Sequence, residues 1–436
     1  MLWLAAILLA ALVLRVFWVA SVQPDPRDSR FEDTVWYFYT GRHLAAGHGY
    51  VVPGDAFCRF GGIGCDERPP TALWAPGYPL LLAGTFLLPG DDLVAARGLN
   101  VLAGLALVAG VYYLGSRLWN RRAGLLGAAL VALFPSDIFF SSLVLTESLF
   151  VAMAVGFLCL SLAWTMPPDA PLVRVAALGL AAGALAMVRP EGIAFVGVTA
   201  LVWLVLHRSW RNLLARLCLV ALGILVFVVP WTVRNSMQLG WPVIGTTGLG
   251  QVLLQAHNPE AGGQPDFGAV HRLWGYYKVI PRPEREGRIN NDAVKESISY
   301  ALQNIPREFS LVPLRLAAFY RGDRGAIGWN QLEDGNGDRA ISQVWAERWG
   351  IVSDAYYYAV IGVALFTLPF WLRRMRGQHL LLWGPLAAYS AMWAFLFVGE
   401  PRYHLPLLPI FALLAAIGLA AFSRLWWPEQ APATPR

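Results

Sequence analysis

The stretch Ala72-Leu73-Trp74-Ala75-Pro76-Gly77-Tyr78-Pro79, carried on by an apolar run to Leu88, decides how this chain is threaded. It is apolar enough to enter a bilayer, but Pro76-Gly77 and Pro79 break any regular helix at its start. If it crosses, every later loop changes sides; if it dips into one face and returns, none does. The arginines choose between the two. With a non-crossing segment, Arg117, Arg121, Arg122, Arg174, Arg208, Arg211, Arg216, Arg373, Arg374, Arg376, Arg424 and Arg436 share the side of the N-terminus, accompanied only by Asp169 and Glu429. An excess of Lys and Arg in short loops marks the cytoplasmic side. A crossing segment would send Arg117 to Arg122 and Arg208 to Arg216 outward and destroy that asymmetry.

The surrounding composition makes a bilayer the right frame. Of the 436 residues, 57% are hydrophobic and 14% charged, with a mean hydropathy of +0.49. Soluble domains are about 25% charged, so an ordinary soluble enzyme is excluded, and so is a disordered chain. A helix needs about 20 apolar residues to cross a hydrocarbon core of roughly 30 Å. Runs of that kind read as spans at 2–22, 93–115, 123–140, 143–164, 173–188, 193–206, 213–231, 355–372, 380–398 and 405–422. The expectation is an all-α integral membrane protein of about ten transmembrane helices, multi-pass, with both termini cytoplasmic. The first run lacks a basic n-region and reads as a retained span, not a cleaved signal. Residues 1–423 form a single polytopic membrane domain, and 424–436 a cytoplasmic tail. Net charge is +6, with only Lys278 and Lys295 as lysines. The arginines mark loops, which sets nucleic acid aside as a partner, and the Arg-rich, Lys-poor usage suits a bacterial plasma (inner) membrane.

Two long loops, 23–92 and 235–354, then fall outside. In the first, a short interfacial helix over 33–46 would place Trp36, Tyr37 and Tyr39 at the headgroup level. In the second, helix-like stretches at 292–303 and 308–320 form an ordered cap. Cys58 and Cys65 share the first loop at a spacing that permits a bridge, whereas Cys159 and Cys218 lie in apolar runs as small buried thiols.

Ionisable residues gather at the outer ends of the spans: Glu32 and Asp33, Asp137, Glu147, Arg189 and Glu191, Arg234, and Glu400, Arg402 and His404. Any one of them can be a membrane anchor. Together they outline a polar site at the outer boundary, because charges near lipid need partners. Carboxylates serve as general bases or cation ligands, and arginines recognise phosphate through planar, bidentate hydrogen bonds. A phosphate-bearing lipid substrate fits that mixture. There is no phosphate-cradling Gly-rich loop, no Gly-x-Ser-x-Gly elbow and no His-Glu-x-x-His, and no outer histidine pair has zinc-ligand spacing. The outer carboxylates leave a divalent cation as an open expectation.

A family resemblance rests on ordered motifs: Asp33-x-x-x-Tyr37, Gly47-His48-Gly49-Tyr50, Ala75-Pro76-Gly77-Tyr78-Pro79, Arg117 to Gly124, Phe134-Pro135 with Thr146-Glu147, Val188-Arg189-Pro190, Pro230-Trp231-x-x-Arg234-Asn235, His257-Asn258-Pro259 and Pro401-Arg402-Tyr403-x-x-Pro406. In order and spacing, over roughly residues 10 to 420, the chain resembles the GT-C membrane glycosyltransferases, in particular bacterial relatives of the protein O-mannosyltransferase and aminoarabinose transferase families. The resemblance implies a polyprenyl-phosphate monosaccharide as donor and transfer on the extracytoplasmic face to a lipid, glycan or protein. It places the catalytic acidic position, a base or acceptor-orienting group, on Asp33, with Glu32 as its neighbour, and a second outer acidic position on Glu147. Arg234 and Arg402 fall where basic residues meet the lipid-linked phosphate, joined by Arg189. His404 either donates to that phosphate or snorkels at the rim. Glu67, in Asp66-Glu67-Arg68-Pro69-Pro70, is a cation ligand or acceptor contact, and Tyr37, Trp36 and Tyr403 are candidate sugar or acceptor contacts. A direct displacement would invert the anomeric centre.

Two other classes share the gross pattern. A transporter or flippase would put ionisable residues near the midplane and repeat its architecture in two halves. An O-antigen polymerase or ligase type enzyme would hold its key basic residues in the large loop, with no need of Asp33.

Overall fold

In hydrocarbon a backbone must satisfy its own polar groups, so the apolar runs become helices. The computed structural model describes residues 2–27, 33–52, 54, 68–167, 170–206, 209–276, 283–331, 339–372 and 376–426. Among the described residues, six helical segments are long and apolar enough to cross a bilayer: Leu2–Ser21, Asp92–Leu118, Glu147–Thr165, Trp210–Leu239, Gln343–Pro369 and Pro401–Ser423. A pair, Arg121–Ala132 and Pro135–Ser142, makes a seventh when taken together, bent by 55°. Leu172–Val188, Pro190–Leu206 and Leu380–Phe395 are shorter apolar helices. Helices thus occupy all ten apolar runs. Among the described residues there is no named strand; an isolated antiparallel bridge joins Val51 and Pro70.

The deciding segment forms the ten-residue helix Gly77–Phe86. At 1.5 Å per residue it reaches about 15 Å, half of a hydrocarbon core, so it is too short to cross. It packs on the Asp33–Ala45 helix, where Gly41 leaves room for Leu82 and Phe86. That packing overturns one expectation. Trp36 and Tyr37 are 5% and 8% exposed, turned inward toward Trp74 and Tyr78 instead of facing headgroups.

The last span, Pro401–Ser423, is 83% buried and therefore central, whereas Leu2–Ser21 is 17% buried and therefore peripheral. Leu172–Val188 meets Trp210–Leu239 through Gly179 and Gly183 against Gly223: a methyl on Gly179 would sit 2.8 Å from the Leu219 carbonyl oxygen. Small residues at this spacing let membrane helices approach backbone to backbone. Within the bundle the Arg15 guanidinium donates to Asp137, with Arg15 wholly buried. Asp137 is thus the partner of a buried cation, not part of the outer rim. At the far end Arg216 is likewise buried and donates to the Thr165 carbonyl at 2.7 Å, satisfying a helix terminus as well as marking a loop.

Candidate active site

Four elements bring charge to one place. Asp33 opens the Asp33–Ala45 helix, and its Oδ2 accepts from Arg402 Nη1 at 3.0 Å. Arg402 enters on the tight turn Pro401–Leu407, its Nε 3.1 Å from Glu400 Oε1. Arg189 follows Leu172–Val188 in extended conformation, donating to Glu191 and, at 3.0 Å, to Glu147 Oε1. Glu147 is 4% exposed in the first turn of Glu147–Leu160, where free backbone amides favour a carboxylate. Glu147, Phe150, Arg189, Tyr389, Arg402 and Tyr403 line one small cleft. Two guanidiniums thus stand among four carboxylates, each arginine held between two.

Backbone packing positions these groups. A methyl on Gly77 would lie 2.6 Å from the Met187 carbonyl oxygen, so glycine lets the Pro-Gly-Tyr-Pro turn seat directly on the helix end that precedes Arg189. Arg402 is flanked by Trp329 at 4.9 Å and Tyr403 at 5.1 Å. Trp329 belongs to the second long loop, and its neighbour Asn330 anchors it by accepting from Ser142 Oγ at 2.6 Å and donating to the Phe139 carbonyl at 3.2 Å.

Asp33, Glu147, Arg189, Arg402 and Tyr403 therefore come together, and others of the expected set do not. Arg234 donates to the carbonyl of Tyr50 at 2.6 Å and to that of Thr71, clamping the two edges of the first loop. Its guanidinium holds the backbone behind the site and does not line the cleft. His404 is fully buried: its Nδ1 donates to the Phe319 carbonyl at 2.6 Å, Nε2 lies 3.4 Å from Asp323, and the ring stacks on Tyr357. It neither faces the cleft nor snorkels. Tyr37 is buried beside Asp33, and burial pushes its hydroxyl well above the ordinary phenol range, with the Asp33 charge adding to that, so it stays protonated. Glu32, Glu67, Cys58 and Cys65 lie outside the described residues.

Two contributors escaped the sequence reading. Trp329 sits in a loop with no periodic signal. Glu286 is buried, and its Oε1 accepts from the Ala72 amide at 2.8 Å and the hydroxyls of Thr71 and Thr247 at 3.0 and 2.6 Å, tying the second loop to the first. Among the described residues no three His, Cys, Asp or Glu side chains could share a cation. The carboxylates around the cleft are engaged by arginine and do not fit a cation.

Comparison with known proteins bears on the same region. Residues 69–233 match the family described as dolichyl-phosphate-mannose-protein mannosyltransferase. The matched stretch includes Glu147 and Arg189 and leaves out Asp33 and Arg402. No curated protein matches the chain significantly in sequence. Among solved structures it is similar to the oligosaccharyltransferase AglB of Archaeoglobus fulgidus in complex with an inhibitory peptide and a dolichol-phosphate, at 14% identity and TM-score 0.51, covering 100% of this chain and 52% of that one. A crystal structure of the A. fulgidus enzyme with Zn and sulfate gives 14% identity and TM-score 0.53, covering 97% and 49%. ArnT from Cupriavidus metallidurans bound to undecaprenyl phosphate gives 17% identity and TM-score 0.46, covering 99% and 82%. The chain spans about half the length of the archaeal oligosaccharyltransferase structures it matches. It is a multi-pass membrane protein whose fold is that of the A. fulgidus oligosaccharyltransferase structures, and over residues 69–233 it is similar to the dolichyl-phosphate-mannose-protein mannosyltransferase family.

Proposed function

We propose that this chain transfers a monosaccharide from a polyprenyl-phosphate donor to a hydroxyl of an extracytoplasmic lipid, glycan or protein. The observation that carries the reading is the joining of Asp33 to Arg402 at 3.0 Å, with Arg402 in turn lining a cleft together with Arg189 and Glu147. Glycosyl transfer to a hydroxyl needs a base and a positively charged receiver for the leaving phosphate. Asp33 takes the acceptor proton as the acceptor oxygen bonds to the anomeric carbon. The bond from that carbon to the phosphate oxygen breaks, and polyprenyl phosphate leaves with the electron pair toward Arg402 and Arg189. One displacement inverts the anomeric centre.

The site lies on the extracytoplasmic face of a bacterial plasma membrane in this reading, with ten spans and both termini cytoplasmic. Glycan and lipid analysis of membranes from cells expressing wild type, Asp33→Asn or Arg402→Ala at equal protein levels tests it. The expected result is a polyprenyl-phosphate sugar that accumulates, and an acceptor that loses its sugar, in both variants. Unchanged glycans together with altered solute uptake or lipid transbilayer distribution would replace the transferase reading with a transporter.

A further inference from the structure

The two arginines of the cleft share one aromatic ring. Arg402 lies over Tyr403 at 5.1 Å from the ring centroid, and Arg189 lies over the same ring at 5.9 Å. The ring itself is fixed from behind: Trp393 stacks on it at 4.0 Å with planes 14° apart, and Trp393 is 4% exposed and stacked in turn on Phe319. The Tyr403 hydroxyl adds a hydrogen bond from Arg402 Nη2 at 3.3 Å.

Asp33 and Glu400 are the ion-pair partners of Arg402, Glu147 and Glu191 are those of Arg189, and Glu147 also attracts Arg402 at longer range. Two guanidiniums also repel each other, and a ring quadrupole attracts each cation to its face. Trp329 flanks Arg402 and Phe150 flanks Arg189, one apiece. Of these three rings, Tyr403 is the one that both cations approach.

We propose that Tyr403 is a positioning residue that holds Arg189 and Arg402 at the separation needed to grip one lipid-linked phosphate. It acts through the arginines and need not touch the substrate. The inference rests on the polyprenyl-phosphate reading above.

The test measures binding of undecaprenyl phosphate to full-length protein in nanodiscs, alongside donor KM and kcat, for wild type, Arg402→Gln, Tyr403→Phe and Tyr403→Leu. Tyr403→Phe keeps the ring and is expected to leave Kd and KM within about threefold. Tyr403→Leu is expected to weaken both about tenfold, or about 1.4 kcal/mol, with kcat at saturating donor changed less. If the leucine variant is not recovered monodisperse, Tyr403→Met carries the same expectation. Equal binding by Tyr403→Leu and wild type, with binding lost in Arg402→Gln, would overturn the positioning role and leave the transferase reading standing. Equal damage from Tyr403→Phe and Tyr403→Leu would also overturn it, since the hydroxyl and not the ring would be at work. A monodisperse wild type that binds no undecaprenyl phosphate defeats both readings together.

Discussion

Asp33 and Arg402 stand 369 positions apart and meet at 3.0 Å, so the cleft exists only in the folded bundle. If Asp33 is the base, Asp33→Asn keeps an acceptor for Arg402 but loses proton transfer. Its kcat should fall about 10² to 10⁴-fold, the usual worth of general base catalysis, while donor KM stays within a few-fold. Arg234 and Arg402 should separate cleanly. Arg402→Gln is expected to raise donor KM, whereas Arg234→Gln strands the Tyr50 and Thr71 carbonyls and should lower thermal stability by about 1–3 kcal/mol with donor KM retained. Thermal denaturation and kinetics on the same preparations check both. The sequence showed which residues sit at outer helix ends, but not where their side chains point. His404 illustrates the gap: a tight turn has three residues per revolution, so a residue two positions after Arg402 points about 240° away. Leu405, three positions on, returns to the cleft, and His404 faces Phe319 and Asp323.

Helices that carry the site were legible as apolar runs, and their boundaries were less so. Gln343–Leu372 begins twelve residues before the expected span at 355, because Glu347, Arg348 and Asp354 give its outer turns no hydropathy signal. Trp210–Leu239 likewise continues past the expected end at 231 through Arg234 and Asn235, and Glu284–Gln303 extends back through a charged stretch from the expected start at 292. These polar extensions project beyond the apolar cores and bear Arg234 and Glu286. Between elements, the contact most open to attack is Gly77 on Met187. Gly77→Ala must move the Pro-Gly-Tyr-Pro turn away from the helix end that precedes Arg189. We expect a loss of about 1–3 kcal/mol in stability, as for overpacking, and a rise in donor KM. A variant with unchanged melting and kinetics would show that the turn does not set the Arg189 position.

At the scale of the molecule, the ten-residue Gly77–Phe86 helix and the arginine distribution argue for the same threading by unrelated means, length in one case and loop charge in the other. Accessibility labelling tests it: with a membrane-impermeant maleimide, Arg272→Cys should react on intact cells, and Arg211→Cys only after permeabilisation, each above the parent chain. Reversed labelling would invert the topology and put the cleft on the wrong face. The central claim is sugar transfer at the cleft of Asp33, Arg402, Arg189 and Glu147. Its most direct test incubates purified protein in nanodiscs, mixed with solubilised native envelope as acceptor, with a panel of polyprenyl-phosphate monosaccharides labelled in the sugar. Wild type is expected to move label from one such lipid to an acceptor, and Asp33→Asn and Arg402→Gln, folded and equally abundant, are expected not to. Undiminished transfer by both variants, or no transfer from any polyprenyl-phosphate sugar by active-fold wild type, would contradict it.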